Sequence, residues 1–278
     1  MKIYKTGKAL RDGLAAATAQ GKMISFVPTM GALHEGHLSL VRAARAGGNL
    51  VVCSIFVNPT QFNNEEDLAK YPRPIDEDIA MLEAECCDVL FLPTENEIYP
   101  EGGEIEKYEL GNLDKVLEGA FRPGHFQGVC QVVDRLLTVV QPQKMYIGQK
   151  DYQQCMVLSK LLEITNSRVE IEIVPTVRES SGVAMSSRNR RLSASAMKKA
   201  PLLFKALTIV SEGLNEPLSD VLLEASTMLA DNGFLVDYLE VADADTLEVL
   251  TEWSNTPKVI LVAAIIDDVR LIDNLVMN

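Results

Sequence analysis

Basic residues are scarce in this 278-residue sequence. It contains 26 Lys and Arg against 39 Asp and Glu, which gives a formal net charge of −13 at pH 7. Affinity for nucleic acid depends on Lys and Arg side chains that neutralise phosphates, so this balance argues against nucleic acid as a partner. If the substrates are anions, the few cationic groups must be gathered in one pocket.

Long apolar runs are also missing. The longest, over residues 259–266, is much shorter than the ~20 residues that a helix needs to cross a bilayer. Residues 1–5 lead into alternating charge and alanine rather than into an apolar export signal. We therefore expect a cytoplasmic protein that has no membrane partner.

The cysteines lack the spacing of a disulfide framework or a zinc knuckle. Their number is odd and no pair has C-x-x-C spacing, so we expect them to be small buried apolar residues. They are Cys53, Cys86, Cys87, Cys130 and Cys155.

Residues 23–175 alternate short apolar runs with amphipathic stretches. Apolar residues recur at three- and four-residue steps in segments that begin near His34, Asp76, Gln127 and Tyr152, which predicts helices. Such alternation indicates an α/β fold, a Rossmann-like parallel sheet with helices on both faces, whose ligands bind at the carboxyl ends of the strands. The predicted strands are residues 23–27, 50–57, 89–92, 145–147 and 169–174.

The pattern changes after Pro175. A polar stretch over residues 178–191 leads to helical patterns over 196–214 and 218–231, and strand-like runs follow over 235–241 and 258–266. This predicts a smaller C-terminal α+β domain. We therefore expect one domain over residues 1–176 and a second over residues 177–278.

The first predicted strand runs into P-T-M-G-A-L-H-E-G-H, which begins at Pro28 and opens a helix. His34 and His37 are three residues apart, so they point to the same side of that helix. We expect them to share its start with unpaired backbone N–H groups and the positive end of the helix dipole, which together form an anion site. Gly36 leaves room for a nucleotide. Taken alone, the pair also fits two exposed loop histidines, and its spacing does not fit the H-E-x-x-H of zinc proteases.

Polar residues follow two further strands. Asn58 and Gln61 offer neutral amides that suit a hydroxyl or a carboxylate, although Asn-Pro by itself is typical of a turn. Lys150 is placed to meet phosphate oxygens, and Asp151 is a suitable N-cap for the next helix. A solvated lysine is the alternative.

The junction of the two predicted domains carries M-S-S-R-N from Met185. Ser186, Ser187 and Arg188 combine two hydroxyls with a permanent positive charge, which makes a flexible phosphate grip. A junction also lets the smaller domain close over a site. A plain polar linker is the alternative.

Six blocks occur in a fixed order along the chain. They are P-T-M-G-A-L-H-E-G-H from Pro28, F-V-N-P-T-Q-F from Phe56, Y-P-R from Tyr71, R-P-G-H-F from Arg122, G-Q-K-D-Y-Q-Q from Gly148 and M-S-S-R-N from Met185. A single H-x-G-H would indicate only the nucleotidylyltransferase superfamily. The six together resemble one family within it, the pantothenate synthetases or pantoate–β-alanine ligases.

The resemblance implies a two-step reaction. Pantoate attacks the α-phosphorus of ATP to give pantoyl adenylate and pyrophosphate, and the amine of β-alanine then displaces AMP. Phosphoryl chemistry of this kind asks mainly for positioning and charge stabilisation. The resemblance also implies Mg2+ carried largely by the nucleotide, with no protein ligand, and a homodimer.

The resemblance further implies roles for individual residues, with His37 as proton donor, Gly148 and Asp151 near the ribose and the Val177 backbone near the adenine. The implied catalytic residues are His34, His37, Lys150, Ser186, Ser187 and Arg188. The implied ATP-binding residues are Met30, Gly31, Ala32, Leu33, His34, Glu35, Gly36, His37, Gly148, Gln149, Lys150, Asp151, Val177, Met185, Ser186, Ser187 and Arg188. The implied pantoate-binding residues are Gln61, Gln154, Asn58 and Met30.

The resemblance leaves two features of the sequence unexplained. Ser181 precedes Gly182 where family members tend to carry Asp. Arg122 and His125 match the family, but they have no evident catalytic role.

Two other functions remain open at this point. One is another nucleotidyltransferase of the same fold, acting on phosphopantetheine or a nicotinamide mononucleotide, and the other is a nucleotide-binding module without turnover.

Overall fold

The computed structural model describes residues 1–102 and 106–277. The chain divides into two compact units. The first comprises residues 1–149 and 154–175, and the second comprises residues 150–153 and 176–278. None of the helices within the described residues combines the length and the apolar content that crossing a bilayer requires.

A six-stranded sheet lies at the centre of the first unit. Its order is β1-β4-β3-β2-β5-β6 and every neighbouring pair is parallel. The predicted Rossmann-like parallel sheet is therefore confirmed. The strands are β1 Lys2–Tyr4, β2 Ile24–Thr29, β3 Leu50–Ile55, β4 Val89–Phe91, β5 Lys144–Gly148 and β6 Glu170–Val174.

Helices cover both faces of this sheet, as the apolar strands require. Phe26 of β2 packs in the cluster that contains Leu10, whereas its neighbour Val27 packs in the cluster that contains Val41, so successive residues bury opposite faces. The helices associated with these clusters and their connections are α1 Gly7–Ala19, α2 Glu35–Ala46, α3 Glu65–Lys70, α4 Ile75–Ala84, α5 Glu95–Ile98, α6 Glu118–Phe121, α7 His125–Val140 and α8 Tyr152–Ile164.

The order of the strands creates a switch point between β2 and β5. From β2 the chain builds outward through β3 and β4, and it returns to the other side of β2 with β5 and β6. In an open parallel sheet, the loops at the carboxyl ends of strands diverge at such a point and leave a crevice for a ligand. Residues 30–34 follow β2 at this point, and Gln149 follows β5.

The second unit contains a three-stranded antiparallel sheet in the order β7-β8-β9. Helices α10 and α11 bury Leu207 and Leu229 in a core that they share with this sheet. The predicted smaller α+β region is confirmed. The elements are α9 Ala194–Lys199, α10 Leu202–Glu212, α11 Leu218–Asp231, β7 Leu235–Asp243, β8 Lys258–Ile266 and β9 Val269–Met277.

Candidate functional site

The loop after β2 turns sharply before it enters α2. Gly31 and Ala32 both have positive φ, at 79° and 49°. The buried carboxylate of Asp78 on α4 accepts the N–H of Ala32 at 2.8 Å and that of Leu33 at 2.7 Å. Consecutive N–H groups in such a turn form a concavity that suits an anion, and Asp78 fills it from within the protein. The backbone donors of Ala32 and Leu33 are therefore already engaged.

His34 is the N-cap of α2 and uses its own side chain for that purpose. Its Nδ1 accepts the N–H of Gly36 at 3.2 Å, and its carbonyl accepts the N–H of His37 at 2.8 Å. The expectation of unpaired N–H groups at the helix start is therefore wrong at Gly36 and His37. The reason is the extended backbone of His34, at φ −148° and ψ 174°, which brings its imidazole and carbonyl over the first turn.

The two imidazoles lie side by side, as predicted. Their ring centroids are 4.1 Å apart. Since Nδ1 of His34 accepts a hydrogen bond, the neutral ring carries its proton on Nε2, which makes Nε2–H the group that can donate to an anion. The anion chemistry of this helix start therefore depends on imidazole N–H groups and the helix dipole rather than on the backbone donors of Gly36 and His37.

Glu35, between the two histidines, carries the negative charge nearest to them in sequence. It is exposed, and its carboxylate pairs with Arg42, two turns further along the same face of α2. Arg42 also contacts Glu85 at 2.6 Å. The guanidinium thus offsets a negative charge that would otherwise oppose an incoming phosphate.

Asn58 follows β3 and lies at the centre of a buried amide network. Its side chain is 1% exposed. Its Nδ2 donates to Gln61 Oε1 at 3.1 Å and to the Gly128 carbonyl at 3.0 Å, and its Oδ1 accepts from Tyr99 and Thr60 at 2.8 Å and 3.1 Å. All four hydrogen-bonding positions of this amide are engaged. Asn58 therefore orients Gln61, and a direct contact between Asn58 and a substrate stays a prediction.

Gln61 connects this network to the loop after β2. Its Nε2 lies 3.1 Å from Sδ of Met30, and the residue is 8% exposed. Two residues predicted to bind pantoate are thus in contact at the carboxyl ends of adjacent strands. Gln154, the remaining residue predicted to bind pantoate, is half-buried near the start of α8, and among the described residues it makes no hydrogen bond to Gln61.

Tyr99 also belongs to this network, although no motif in the sequence marks it. Its hydroxyl donates to Asn58 Oδ1, and burial raises its pKa, which keeps the proton on the oxygen. The ring of Tyr99 lies beneath the guanidinium of Arg135, 5.1 Å from its centroid. A partly buried tyrosine is usually a packing residue, so only the hydrogen bond to Asn58 shows that Tyr99 supports the amide network.

Gly148 ends β5 and its carbonyl accepts from the Cys155 thiol at 3.4 Å. A 3-10 helix, Gln149–Asp151, follows. Asp151 thus lies in this turn, directly before α8 begins at Tyr152, at the position where an N-cap was predicted. Lys150 belongs to the second unit, where its carbonyl accepts from Asn274 at 2.8 Å.

The remaining predicted ATP-binding residues lie in a short hairpin of the second unit. The N–H of Met185 donates to the carbonyl of Val177 at 3.0 Å. Ser186 then caps a 3-10 helix, Ser187–Arg191, by accepting the N–H of Arg188 at 3.2 Å. Ser187 is buried. The capping bond fixes where Ser186 and Arg188 stand relative to each other, which a plain linker would not do.

Arg178 anchors this hairpin. Its guanidinium makes a bidentate pair with the buried carboxylate of Asp273, at 2.5 Å and 2.9 Å, and it stacks on the ring of Phe204 at 3.9 Å. It also donates to the carbonyl of Gly182, whose φ is 94°. Ser181 is exposed at the tip of the turn. Arg178 therefore ties the hairpin to Asp273, and the unusual Ser181 is the exposed residue directly before the Gly182 carbonyl that Arg178 binds.

Within residues 1–102 and 106–277, no group of three or more His, Cys, Asp or Glu side chains is placed to hold a metal ion. Asp76 is exposed, and both oxygens of Asp78 accept backbone N–H groups. A divalent cation such as Mg2+ prefers several oxygen ligands, so the described side chains do not form a dedicated cage for it.

An H-x-G-H segment that opens a helix at the switch point of a parallel sheet defines a nucleotide-binding α/β protein. The family model described as pantoate-beta-alanine ligase matches residues 2–276. The chain belongs to the pantoate–β-alanine ligase family.

Individual relatives agree with this assignment. The chain is 44% identical over 276 residues to the pantothenate synthetase of Cytophaga hutchinsonii, with 96% of each sequence covered. It is 45% identical over 283 residues to that of Aliivibrio fischeri, covering 100% of this chain and 97% of the relative.

Two solved structures are similar over nearly the whole chain. Pantothenate synthetase from Thermus thermophilus has a TM-score of 0.92 at 43% identity, with 99% of each chain covered. Pantoate-beta-alanine ligase from Francisella tularensis, complexed with beta-gamma ATP and beta-alanine, has a TM-score of 0.82 at 35% identity, covering 99% of this chain and 97% of that one. The sequence comparisons and the structural comparisons thus agree on the family.

Proposed function

We propose that this protein condenses pantoate with β-alanine at the expense of ATP, through a pantoyl adenylate, and releases AMP and pyrophosphate. The family membership supports the reaction, and one observation in the structure supports the location of the active site at the switch point of the sheet. Paired imidazoles and a fixed glutamine amide stand at the carboxyl ends of adjacent strands β2 and β3, beside the switch point. Imidazole donors for a phosphate and a neutral amide for a hydroxy acid thus follow adjacent strands at the same edge of the sheet.

The first half of the proposal concerns ATP. The Nε2–H of His34, together with His37 as proton donor, stabilises charge on the phosphates, and Lys150, Ser186, Ser187 and Arg188 hold them. Preorganised donors of this kind act most strongly on charge that develops in the transition state. Met30–Leu33, Glu35, Gly36, Gly148, Gln149, Asp151, Val177 and Met185 complete the proposed ATP site.

The second half concerns pantoate. The Gln61 and Gln154 amides bind its hydroxyls and carboxylate, with Met30 and Asn58 beside Gln61. A hydrogen-bonded amide with a fixed direction discriminates well between substrates, because an analogue without the matching group leaves a buried polar atom unpaired. The contact of Gln61 with both Met30 and Asn58 supports this role.

Three further properties belong to the proposal. Mg2+ accompanies ATP as a ligand of its phosphates, the usual way in which this cation reaches a nucleotide site. The working form is a cytoplasmic homodimer. Residues 1–176 form the nucleotide- and pantoate-binding domain, and residues 177–278 act as a smaller lid domain.

Isotope exchange between pyrophosphate and ATP tests the first step. We expect exchange that requires pantoate but not β-alanine, and AMP release only after β-alanine is added. Exchange that requires phosphopantetheine or nicotinamide mononucleotide instead would assign the chain to another nucleotidyltransferase activity. Binding of ATP without exchange or AMP release, with both substrates present, would indicate a module without turnover.

A further inference from the structure

His125 is a buried histidine with two partners whose roles are fixed by chemistry. The residue is the first of α7 and is 6% exposed. Nδ1 lies 2.8 Å from the carbonyl oxygen of Gln61, and Nε2 lies 3.1 Å from Nη1 of Arg122. A carbonyl can only accept and a guanidinium can only donate, so the proton is on Nδ1 and Nε2 is the acceptor. The ring is therefore neutral, in one defined tautomer.

The carbonyl that His125 binds ends the 3-10 helix Pro59–Gln61. Carbonyls at the end of a helix have no partner within it and need one elsewhere when they are buried. The Nδ1–H of His125 supplies that partner for Gln61. The backbone of the residue proposed to bind pantoate is thus tied to α7 by an imidazole.

Arg122 holds the other side of the ring. Its Nη1 lies 3.8 Å from Oε2 of Glu118, whose side chain is 9% exposed. The backbone N–H of His125 also donates to the carbonyl of Arg122 at 3.0 Å. The Glu118 carboxylate attracts the Arg122 guanidinium, the guanidinium selects the tautomer of His125, and that tautomer presents a donor to Gln61.

A second set of contacts brings α7 and the 3-10 helix together at the same place. A Cβ on Gly128 would lie 2.5 Å from the carbonyl oxygen of Thr60 and 2.7 Å from the nitrogen of Gln61, so the two backbones touch where only glycine fits. The carbonyl of Gly128 accepts from Asn58. Gln61 is therefore located by its backbone through His125 and Gly128, and by its side chain through Asn58.

We infer that the Glu118–Arg122–His125 relay is a positioning device for Gln61, which gives the R-P-G-H-F block a function in pantoate binding. His125 touches no substrate in this scheme and acts only through Gln61. The inference rests on the proposed role of Gln61 in holding pantoate. It assigns to His125 and Arg122 a role that their sequence motif does not disclose.

Three substitutions of His125 distinguish the contribution of Nδ1 from that of Nε2. The amide nitrogen of His125→Asn stands where Nδ1 stood and can still donate to Gln61. His125→Gln places its amide near Nε2 and loses that donor, and His125→Leu loses both polar atoms. We expect His125→Gln and His125→Leu to raise the KM for pantoate about 5- to 100-fold, the range that loss of one buried hydrogen-bond partner produces. His125→Asn is expected to restore most of the affinity, and the KM for ATP is expected to change less than about threefold in all three.

A double-mutant cycle tests whether the effect passes through the Gln61 side chain. With Gln61→Ala already present, His125→Gln is expected to change the KM for pantoate less than about twofold, because no side chain remains to be misplaced. Independent, multiplicative effects of the two substitutions on the KM for pantoate would overturn the inference, as would equal KM values for the His125→Asn and His125→Leu variants.

Gln127→Leu is the matched control on the same turn of α7. It loses a pair of bonds to Tyr108 and is expected to leave the KM for pantoate unchanged.

The tautomer can be measured without any substrate. In 15N-labelled protein, the imidazole of His125 is expected to show Nδ1 protonated and Nε2 unprotonated at neutral pH, and Arg122→Met is expected to alter that signature. A protonated Nε2 in the wild-type chain would overturn the relay. Failure of the protein to make pantothenate would overturn the proposed function. The protonation state of His125 tests the relay separately, because that measurement does not depend on the reaction.

Discussion

The carboxylate of Asp78 accepts the backbone N–H of Leu33 at 2.7 Å from a fully buried position. It binds the preceding N–H with its other oxygen and so fixes a turn with two consecutive residues at positive φ. This turn leads directly into His34 at the start of α2. A residue on α4 therefore determines where the paired imidazoles begin, although it is 44 positions away in sequence from the first of them.

Asp78→Asn tests this dependence. The amide replaces one accepting oxygen by an NH2 group that faces another donor, so one buried N–H loses its partner. We expect unfolding free energy to fall by about 1–3 kcal/mol in urea denaturation, together with a loss of turnover. Asp76→Asn, on the exposed side of α4, is the control and is expected to stay within about 0.5 kcal/mol of wild type. Equal effects of the two variants would contradict the assignment.

The sign of the change in unfolding free energy in Gly128→Ala distinguishes helix propensity from a steric clash. Helix propensity alone would make the alanine variant more stable by up to about 1 kcal/mol at Gly128, the fourth residue of α7. The added Cβ would meet backbone atoms of Thr60 and Gln61 at 2.5–2.7 Å, so we expect destabilisation of about 1–3 kcal/mol and a higher KM for pantoate. Thr138→Ala on the exposed face of the same helix is the control, because it also gains helix propensity but adds no contact with another backbone. A stabilised Gly128→Ala variant would show that the two backbones can separate without consequence.

Arg178→Met examines the anchor of the hairpin in the second unit. The buried carboxylate of Asp273 would lose a bidentate partner, and we expect a loss of about 3–5 kcal/mol in chemical denaturation. The KM for ATP is also expected to rise, because the hairpin carries Ser186 and Arg188. Lys198→Met removes an exposed charge from the same unit and is expected to have little effect. A loss below about 1 kcal/mol for Arg178→Met would argue against an anchoring role.

Lys150→Ala and His37→Ala test the proposed phosphate contacts. Loss of one preorganised donor commonly lowers turnover about 100- to 1,000-fold, and we expect each variant to fall in that range while its circular dichroism spectrum is retained. Lys22→Ala, in an exposed loop, is the charge-matched control. Near-normal adenylate formation in Lys150→Ala or His37→Ala would remove that residue from the proposed site.

The thiols provide a test of burial that needs no mutation. Burial raises the pKa of Cys87 to about 11 and that of Cys130 to about 12, and it raises the pKa of Cys53 as well. Alkylation requires the thiolate, so iodoacetamide at pH 8 is expected to modify the exposed Cys86 and to spare these three until the chain unfolds. The folded protein holds the thiol protons up to a higher pH than the unfolded chain does. The contribution of these raised pKa values to the free energy of unfolding is therefore complete below about pH 8.5 and is lost as the pH rises toward 11. Rapid labelling of Cys53 in native protein, read by peptide mass mapping, would contradict this.

The strands of the first unit were predictable because both faces of the sheet are buried. β3 and β4 are apolar almost throughout, and their predicted positions differ from the observed ones by at most two residues. β1 escaped prediction because three residues at a sheet edge carry little pattern. β9 escaped because Asp273 and Asn274 interrupt its apolar run, although both are buried, and Asp273 there pairs with Arg178.

Helices were misplaced where local chemistry outweighed periodicity. The apolar pattern over residues 196–214 continues across Pro201, but proline supplies no N–H, so α9 ends at Lys199 and α10 begins at Leu202. α1 was not predicted, since its many alanines obscure the spacing of Leu10 and Leu14, which face the core. The amphipathic pattern identifies a buried face but does not locate a break within it.

The candidate site was predictable in its residue types and not in its connections. The positions of His34 and Gln61 after successive strands could be inferred from the order of elements. The roles of Asp78, Tyr99 and His125 depend on contacts between residues 41 to 64 positions apart, which no local spacing encodes. For that reason, the sequence motifs named the groups proposed to meet substrate but did not show which residues hold those groups in place.

The capping bond of His34 also limits how the imidazole pair can interact with transition metals. With Nδ1 engaged by the N–H of Gly36, the proton of the neutral ring occupies Nε2, the nitrogen that a zinc or nickel ion would otherwise coordinate. Chelation would require expulsion of that proton or rupture of the helix cap. The same bond that starts α2 therefore disfavours adventitious chelation at a site whose paired histidines would otherwise invite it.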